Sequence, residues 1–169
     1  MKRLGAETLS TDAVNHDVLA GEEMRDVLVA RWGEEIAPNG SVDRDAVASV
    51  VFENPDELQW LESELHPRIG RAVAEWRAGL DPSTEVAVIE VPLLFETGLE
   101  AAFDDVLAVV AADEIRNERL AERGDAGLEG REERQLSQDE KASRAGYVVR
   151  NEGSIDDLER ELAAILAEQ

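Results

Sequence analysis

A chain of 169 residues with a formal charge of −22 and no cysteine excludes several classes of protein. Disulfide scaffolds, Cys-ligated zinc sites and thiol nucleophiles are ruled out. So acidic a mean field repels nucleic acid and anionic membranes, so any phosphate site must be a local basic patch. The length suits one domain with a sizeable core, or one domain with an insertion. No apolar run approaches membrane-spanning length. The opening MKRLGAETLSTD lacks a signal-peptide apolar region, so a cytoplasmic protein is expected. His16 and His66 are the only histidines, which argues against a His-rich metal site.

In chain order, Leu4-Gly5-Ala6 reads as the end of a helix with glycine at its cap. Thr8–Thr11 predicts a short strand. Asp12 sits at its end, either for chemistry or as the N-cap of a helix through Ala20. Met24, Val27, Leu28 and Trp32 follow at helical spacing, and Ala37-Pro38-Asn39-Gly40 signals a turn. A helix from Asp43 to Phe52 turns Val47, Val50 and Val51 inward. Asn54-Pro55-Asp56-Glu57 combines an Asn cap, Pro at the first position and Glu at the third, a strong helix start. Leu58, Leu61 and Leu65 give that helix a stripe, and His66-Pro67 predicts a break. A further helix runs to Leu80 with Ile69, Val73 and Trp76 inward, and Asp81-Pro82-Ser83 ends it. Roughly 50 helical residues between two strands exceed what a crossover needs, which predicts an inserted helical subdomain.

The stretch VAVIEVPLLFE, residues 86–96, carries Val86, Val88, Ile89 and Val91, a β-branched run suited to a strand buried on both faces of a parallel sheet. Pro92 closes it. In open α/β sheets ligands bind beyond the carboxyl ends of strands, so Glu90–Glu96 is a candidate chemical segment; a core strand followed by a packed loop is the alternative. Val106–Ala112 predicts a second buried strand, and Asp113-Glu114 opens a helix containing Ile115 and Leu120. Gly124–Gly130 shows no core-forming pattern and reads as a mobile loop. Around it stand Arg116, Arg119, Arg123, Arg131 and Arg134, the clearest departure from the overall charge. Guanidinium groups bind phosphate with a planar fork; the alternative is a solvated face laced with Glu–Arg pairs. Tyr147–Arg150 predicts a last strand with Asn151 beyond its carboxyl end. Ser154-Ile155-Asp156-Asp157 caps a C-terminal helix with Leu158, Leu162 and Ile165 inside. The element order predicts an α/β protein with a parallel sheet.

Four pieces, LGAETLSTDAV, FENPDELQWLESELHPRI, VIEVPLLFETGLEAAFDDVLAVV and RQLSQDEKASRAGYVVRNEGS, together resemble the dephospho-CoA kinase family over essentially the whole chain. The resemblance implies a P-loop kinase-like three-layer α/β fold with a parallel sheet, formed as a single domain over residues 1–169. Within it, residues 33–80 are the helical CoA-binding insertion and residues 123–141 an Arg-rich lid. It implies ATP-dependent phosphorylation of the 3′-hydroxyl of the dephospho-CoA ribose, with ATP and Mg2+ as cofactors, dephospho-CoA and ATP as partners, and no nucleic acid or membrane. It places Asp12 as general base and Arg119 on the transferring phosphoryl group. Arg131 falls near the ATP phosphates and Asn151 beside the adenine. His66 falls in the helices that shape the CoA pocket. Glu90 falls near the phosphates or Mg2+, and Glu96 lies at the junction with the CoA region. No dedicated metal-ligand set is implied. Such roles suit phosphoryl transfer, which needs positioning and charge neutralisation more than covalent chemistry. Two departures concern the lid: the segment between Arg123 and Gln135 is short for the family, and Gly146 stands where an acidic residue is usual.

The large departure is an absence. Family members begin with a strand and G-x-x-x-x-G-K-[ST]; no such motif occurs in these 169 residues. The match begins near Leu4, partway along the helix expected after the P-loop, as though the sequence had lost its start. The P-loop supplies the amide cradle for the phosphates, the Lys that reaches them and the hydroxyl on Mg2+. Removing one preorganised donor costs about two to three orders of magnitude in rate, so loss of the whole cradle implies weak or no activity. The resemblance also implies that the absent first strand is central, between the strand at 86–91 and the strand at 105–111. The alternative function is a non-catalytic remnant that binds CoA or a partner; retention of Asp12, the Arg cluster and Asn151 speaks against it. With the central strand absent, the chain as written is expected to fold poorly. A cooperative melt near that of a full-length relative contradicts this.

Overall fold

The computed structural model describes residues 1–123 and 135–168. They fall into two units, Thr8–Val91, and Met1–Glu7 together with Pro92–Gln169. Gly124–Gly130, Arg131 and Arg134, read above as a loop and part of an Arg cluster, lie outside the described residues.

In the first unit a short strand pair leads into helices. Strand β1 (Glu7–Ser10) is hydrogen-bonded to β2 (Ala87–Glu90). Between them run α1 (Thr11–Ala20), α2 (Glu22–Trp32), α3 (Arg44–Glu53) and α4 (Pro55–Ala78). The core of this unit joins Leu19, Met24, Leu28, Ile36, Val47, Leu61 and Leu65; the helical spacing selected Met24, Leu28, Val47, Leu61 and Leu65, and the structure adds Leu19 and Ile36. Met24 and Leu28 are 1% and 0% exposed. Two caps fix where the later helices start. Asp43 Oδ1 accepts from the Asp45 and Ala46 N–H groups at 3.0 and 3.2 Å. Asn54 Oδ1 accepts from Asp56 and Glu57 at 3.1 and 3.4 Å. Each satisfies donors that a helix N-terminus otherwise leaves orphaned.

The expected break at His66-Pro67 does not occur: α4 is one helix of 24 residues with Pro67 inside it. Pro67 has no N–H for the carbonyl one turn back, at a cost of about 3 kcal/mol. Leu61 and Leu65 are buried on one side of it and Ile69 packs against the same core on the other. Burying such side chains is worth about 1.5–3 kcal/mol each, so packing outweighs the lost bond. Arg68 further secures this stretch, donating from Nη1 to the Glu64 carbonyl at 2.7 Å and to Glu64 Oε2 at 2.8 Å.

Glu57 does more than open α4. Arg31 grips its carboxylate through Nε and Nη2 at 3.1 and 2.8 Å, and Trp32 Nε1 donates to it at 2.8 Å. The Arg31 guanidinium lies 5.0 Å over the Trp60 ring, which meets Trp32 edge-on at 5.1 Å. This polar and aromatic lock ties the end of α2 to the start of α4.

In the second unit, β3 (Leu107–Val110) pairs in parallel with β4 (Tyr147–Arg150), with Val109 opposite Val149. Helices α5 (Asp113–Arg123), α6 (Gln138–Arg144) and α7 (Ile155–Leu166) complete it. Capping boxes start α6 at Ser137 with Glu140 and α7 at Ser154 with Asp157. At the chain start, Gly5 takes φ 91° and closes a short 3-10 turn, the glycine cap that the sequence indicated; Arg3 pairs with Glu159 at 2.6 Å.

The strands therefore form two pairs, β1–β2 and β3–β4, rather than one sheet, and no described strand bonds to both β2 and β3. This corrects the expectation of strands buried on both faces. Along β2 only Val88 and Ile89 are half-buried, with Ala87 and Glu90 exposed. Along β3, Ala108 and Val110 are buried while Val109 is 53% exposed. A strand with one described neighbour has one edge to solvate, and its side chains are correspondingly less covered.

Leu28→Ala is expected to destabilise the protein by about 2–5 kcal/mol through the cavity it leaves. Phe52, 89% exposed, should tolerate serine with a change within about 0.5 kcal/mol. Urea midpoints of the two variants check both.

Candidate active site

The predicted site residues fall into a group in each unit. In the first, the carboxyl ends of β1 and β2 are joined by a single side chain: Thr11 Oγ1 donates to the Glu90 carbonyl at 3.0 Å. Asp12 is the next residue, so the link brings Asp12 and Glu90 to one end of this strand pair. Asp12 is not the N-cap of α1. Ser10 occupies that position, and Asp12 stands exposed in the first turn. There the unpaired helix N–H groups favour its negative charge.

His16 follows Asp12 by one helical turn, on the same face of α1. Its Nδ1 lies 3.0 Å from Arg44 Nη1. A guanidinium is only a donor, so Nδ1 is the acceptor in this contact. Arg44 also lines an open concavity of about 600 Å³ with Val42, Asp43, Asp45 and Ala48. His66 is exposed in the middle of α4.

In the second unit the structure brings Arg119 and Asn151 together. Arg119 Nη1, on α5, donates to the Asn151 carbonyl, just past β4, at 2.8 Å. Thirty-two positions of sequence separate the two residues. The chain beyond β4 is thus the element that pins the guanidinium.

Glu96 sits in a built polar arrangement. Its Oε1 accepts the Leu136 N–H at 2.8 Å and the Lys141 ammonium at 3.0 Å. Lys141 also reaches the Pro92 carbonyl at 3.2 Å. One turn further along α6, Arg144 pairs with Glu100 and lies 4.7 Å over the Phe95 ring. Burial is the largest influence on the Glu96 carboxyl and would push its pKa up. The Lys141 ammonium and the Leu136 N–H together outweigh it and hold the group below the ordinary 4.5. Glu96 is thus held through Oε1 by its own unit, while its buried Oε2 has no hydrogen-bond partner among the described residues. Thr11, Gln138 and Lys141 were not singled out from the sequence, although Lys141 was one signal: it is one of only two lysines, the other being Lys2. Arg131 lies outside the described residues.

A parallel strand pair with helices, and with charged side chains gathered beyond the strand ends, defines an α/β protein. A crystal structure from Thermus thermophilus is similar to it with a TM-score of 0.82 and 35% identity, over 99% of this chain and 86% of that one. A dephospho-CoA kinase from Campylobacter jejuni shares the fold, with a TM-score of 0.72 at 24% identity. The family model for dephospho-CoA kinase matches residues 1–157. A curated dephospho-CoA kinase from Thermus thermophilus is 34% identical over 171 residues, covering 99% of this chain and 82% of its own length. Another from Geobacter metallireducens is 36% identical over 175 residues, covering 100% and 87%. The chain belongs to the dephospho-CoA kinase family, a family of phosphotransferases.

The depressed Glu96 pKa sets a sign for acid stability. Its contribution is full above the unfolded value near 4.5 and is lost as pH falls through the lower folded value. Urea midpoints measured from pH 7 down to pH 3 are expected to fall less steeply below 4.5 in Glu96→Gln than in the unsubstituted chain, with the variant already less stable at pH 7.

Proposed function

We propose that this chain phosphorylates the 3′-hydroxyl of dephospho-CoA with ATP, giving coenzyme A and ADP. The observation that carries the reading is the family match over residues 1–157. The Arg119–Asn151 link at the end of β4 supports it. In the proposed step the 3′-oxygen forms a bond to the γ-phosphorus, the bond to the β–γ bridging oxygen breaks, and the hydroxyl proton passes to Asp12. An exposed carboxylate in the first turn of α1 is accessible to such a hydroxyl. Arg119 stabilises the transferring phosphoryl group, held by the Asn151 carbonyl, and Asn151 borders the adenine. Arg131 serves the ATP phosphates. Glu90 stands on the phosphate side, next to Thr11 and Asp12. His66 belongs to the helical region 33–80 that takes the CoA moiety, and residues 123–141 form the lid. Glu96 serves the substrate side by holding the Pro92–Glu100 loop, since its Oε1 is committed to Lys141 and Leu136.

ATP brings Mg2+, which needs few protein ligands because phosphates and water supply most of its shell. Among the described residues no group of three or more His, Asp or Glu side chains is placed to cage a metal; Glu90 is the carboxylate assigned to the side of that ion, and Asp12 is kept for the proton. When bound, Mg2+ neutralises phosphate charge.

The 169 residues contain no G-x-x-x-x-G-K-[ST], the motif whose backbone amides cradle phosphates. We therefore assign them weak turnover compared with an extended chain in which a family member's strand and that motif are fused ahead of Met1.

The test is ATP-dependent formation of the 3′-phosphate by the short and extended chains. The extended chain is expected to be faster by at least about two orders of magnitude. In it, Asp12→Asn should lower kcat far more than it weakens ATP binding. Equal, undetectable turnover by both chains, with CoA still bound, favours the alternative of a non-catalytic CoA binder. Unchanged turnover in Asp12→Asn removes Asp12 from the chemistry.

A further inference from the structure

Helix α6 carries three side chains on one face that each hold a different piece of the second unit. Gln138 lies at its first position, Lys141 and Arg144 one and two turns on. Arg144 takes Glu100 and Phe95, and Lys141 takes Glu96 and the Pro92 carbonyl. Gln138 behaves like a strand partner for Ala111, the residue just past β3. Its Oε1 accepts the Ala111 N–H at 2.9 Å and its Nε2 donates to the Ala111 carbonyl at 2.9 Å. That pair of hydrogen bonds fixes which way the amide faces, because only one orientation serves both groups. Nε2 also reaches Asp113 Oδ1, the first residue of α5, at 3.3 Å.

These bonds form a continuous path. Glu96 and Pro92 are held by Lys141. Lys141 and Gln138 share α6. Gln138 fixes Ala111 and the start of α5. Arg119 lies on α5, about two turns on, and closes the path at the Asn151 carbonyl. The same Glu96 oxygen holds Leu136, two residues before α6, so the start of α6 is tied at two places.

We propose that Gln138 and Lys141 are positioning residues for Arg119: they touch no substrate, and through α6 they set where α5 presents its guanidinium beyond β3 and β4. This rests on the function proposed above for Arg119. The chemistry requires these side-chain types. Glutamate in place of Gln138 keeps the acceptor for the Ala111 N–H but loses the donor to its carbonyl and puts a second negative charge beside Asp113. Methionine in place of Lys141 keeps the apolar stem but leaves the mostly buried Glu96 carboxylate without its cation, a costly state. Arginine preserves the charge. A displacement of the guanidinium on the order of 1 Å is enough to lower turnover about a hundredfold.

The test uses Lys141→Met, Lys141→Arg, Gln138→Ala and Gln138→Glu in whichever chain, short or extended, gives measurable turnover. Three readouts are taken: amide exchange at Leu136 and Ala111, the NMR resonance of the Arg119 Nε–H, and kcat with KM for dephospho-CoA. Lys141→Met should speed exchange at Leu136, and Gln138→Ala and Gln138→Glu should speed it at Ala111. These variants should shift the Arg119 resonance and lower kcat at least about tenfold while KM stays within about twofold. Lys141→Arg should restore the resonance and most of kcat. If exchange at Leu136 and Ala111 speeds up while the Arg119 resonance and kcat stay as in the unsubstituted chain, the residues are structural only and the proposal fails. Should neither unsubstituted chain turn over, the function proposed for Arg119 fails separately, and its resonance alone decides whether α6 positions it.

Discussion

The second unit depends on one mostly buried ion pair, Lys141 with Glu96. A carboxylate taken out of water is costly unless it is paired and hydrogen-bonded, and here a single oxygen receives both an ammonium and a backbone N–H. The pair is a constraint more than a source of net stability, because desolvation offsets much of the attraction between such charges. Its effect is to fix register: with Lys141 bound to Glu96 and Pro92, α6 has one position against the loop after β2. Gln138 then has one position against the end of β3. The free energy is spent on specifying geometry where an α/β protein places its ligands, past the carboxyl ends of its strands.

The first unit solves the same problem with different chemistry. Its helices are held by an apolar core around Leu28 and by the Glu57 lock with Arg31, Trp32 and Trp60. The chemical end is fixed by one hydroxyl, Thr11, bound to the Glu90 carbonyl. That bond sets the start of α1, and with it the direction of Asp12 and, one turn on, His16. In a chain of charge −22, cations are scarce, and the described ones that matter are committed: Arg44 to His16, Arg119 to a carbonyl, Lys141 to Glu96. Commitment of this kind presets the position of a charge before any ligand arrives, which is how a site stabilises developing charge without reorganising.

Much of this was legible in the sequence. The apolar spacing of Met24, Leu28, Val47, Leu61 and Leu65 marked the first core, and the Asp43, Asn54 and Ser154 caps start helices where their residue types indicated. The family was also legible from motif order, and so was the placement of Asn151 at a strand end. Other features were not. The Pro67 break failed because local propensity was weighed without the burial on either side of it. Asp12 was displaced from the N-cap by Ser10, a difference of two residues that pattern alone does not resolve. The strands are less buried than their β-branched runs suggested, because composition shows what a strand tolerates and not how many neighbours it has. The contacts of Gln138 and Lys141 join residues 27 and 45–49 positions apart, and no local pattern encodes a partner at that range.

The central claim is that this family member transfers phosphate from ATP to the 3′-hydroxyl of dephospho-CoA. The most direct measurement is product analysis after incubating the chain, with a family member's strand and G-x-x-x-x-G-K-[ST] fused ahead of Met1, with dephospho-CoA and γ-labelled ATP. The account predicts coenzyme A with the label on the 3′-phosphate, and at least about two orders of magnitude less product from the 169 residues alone. No labelled coenzyme A from the extended chain, or label appearing only as free phosphate, would contradict it.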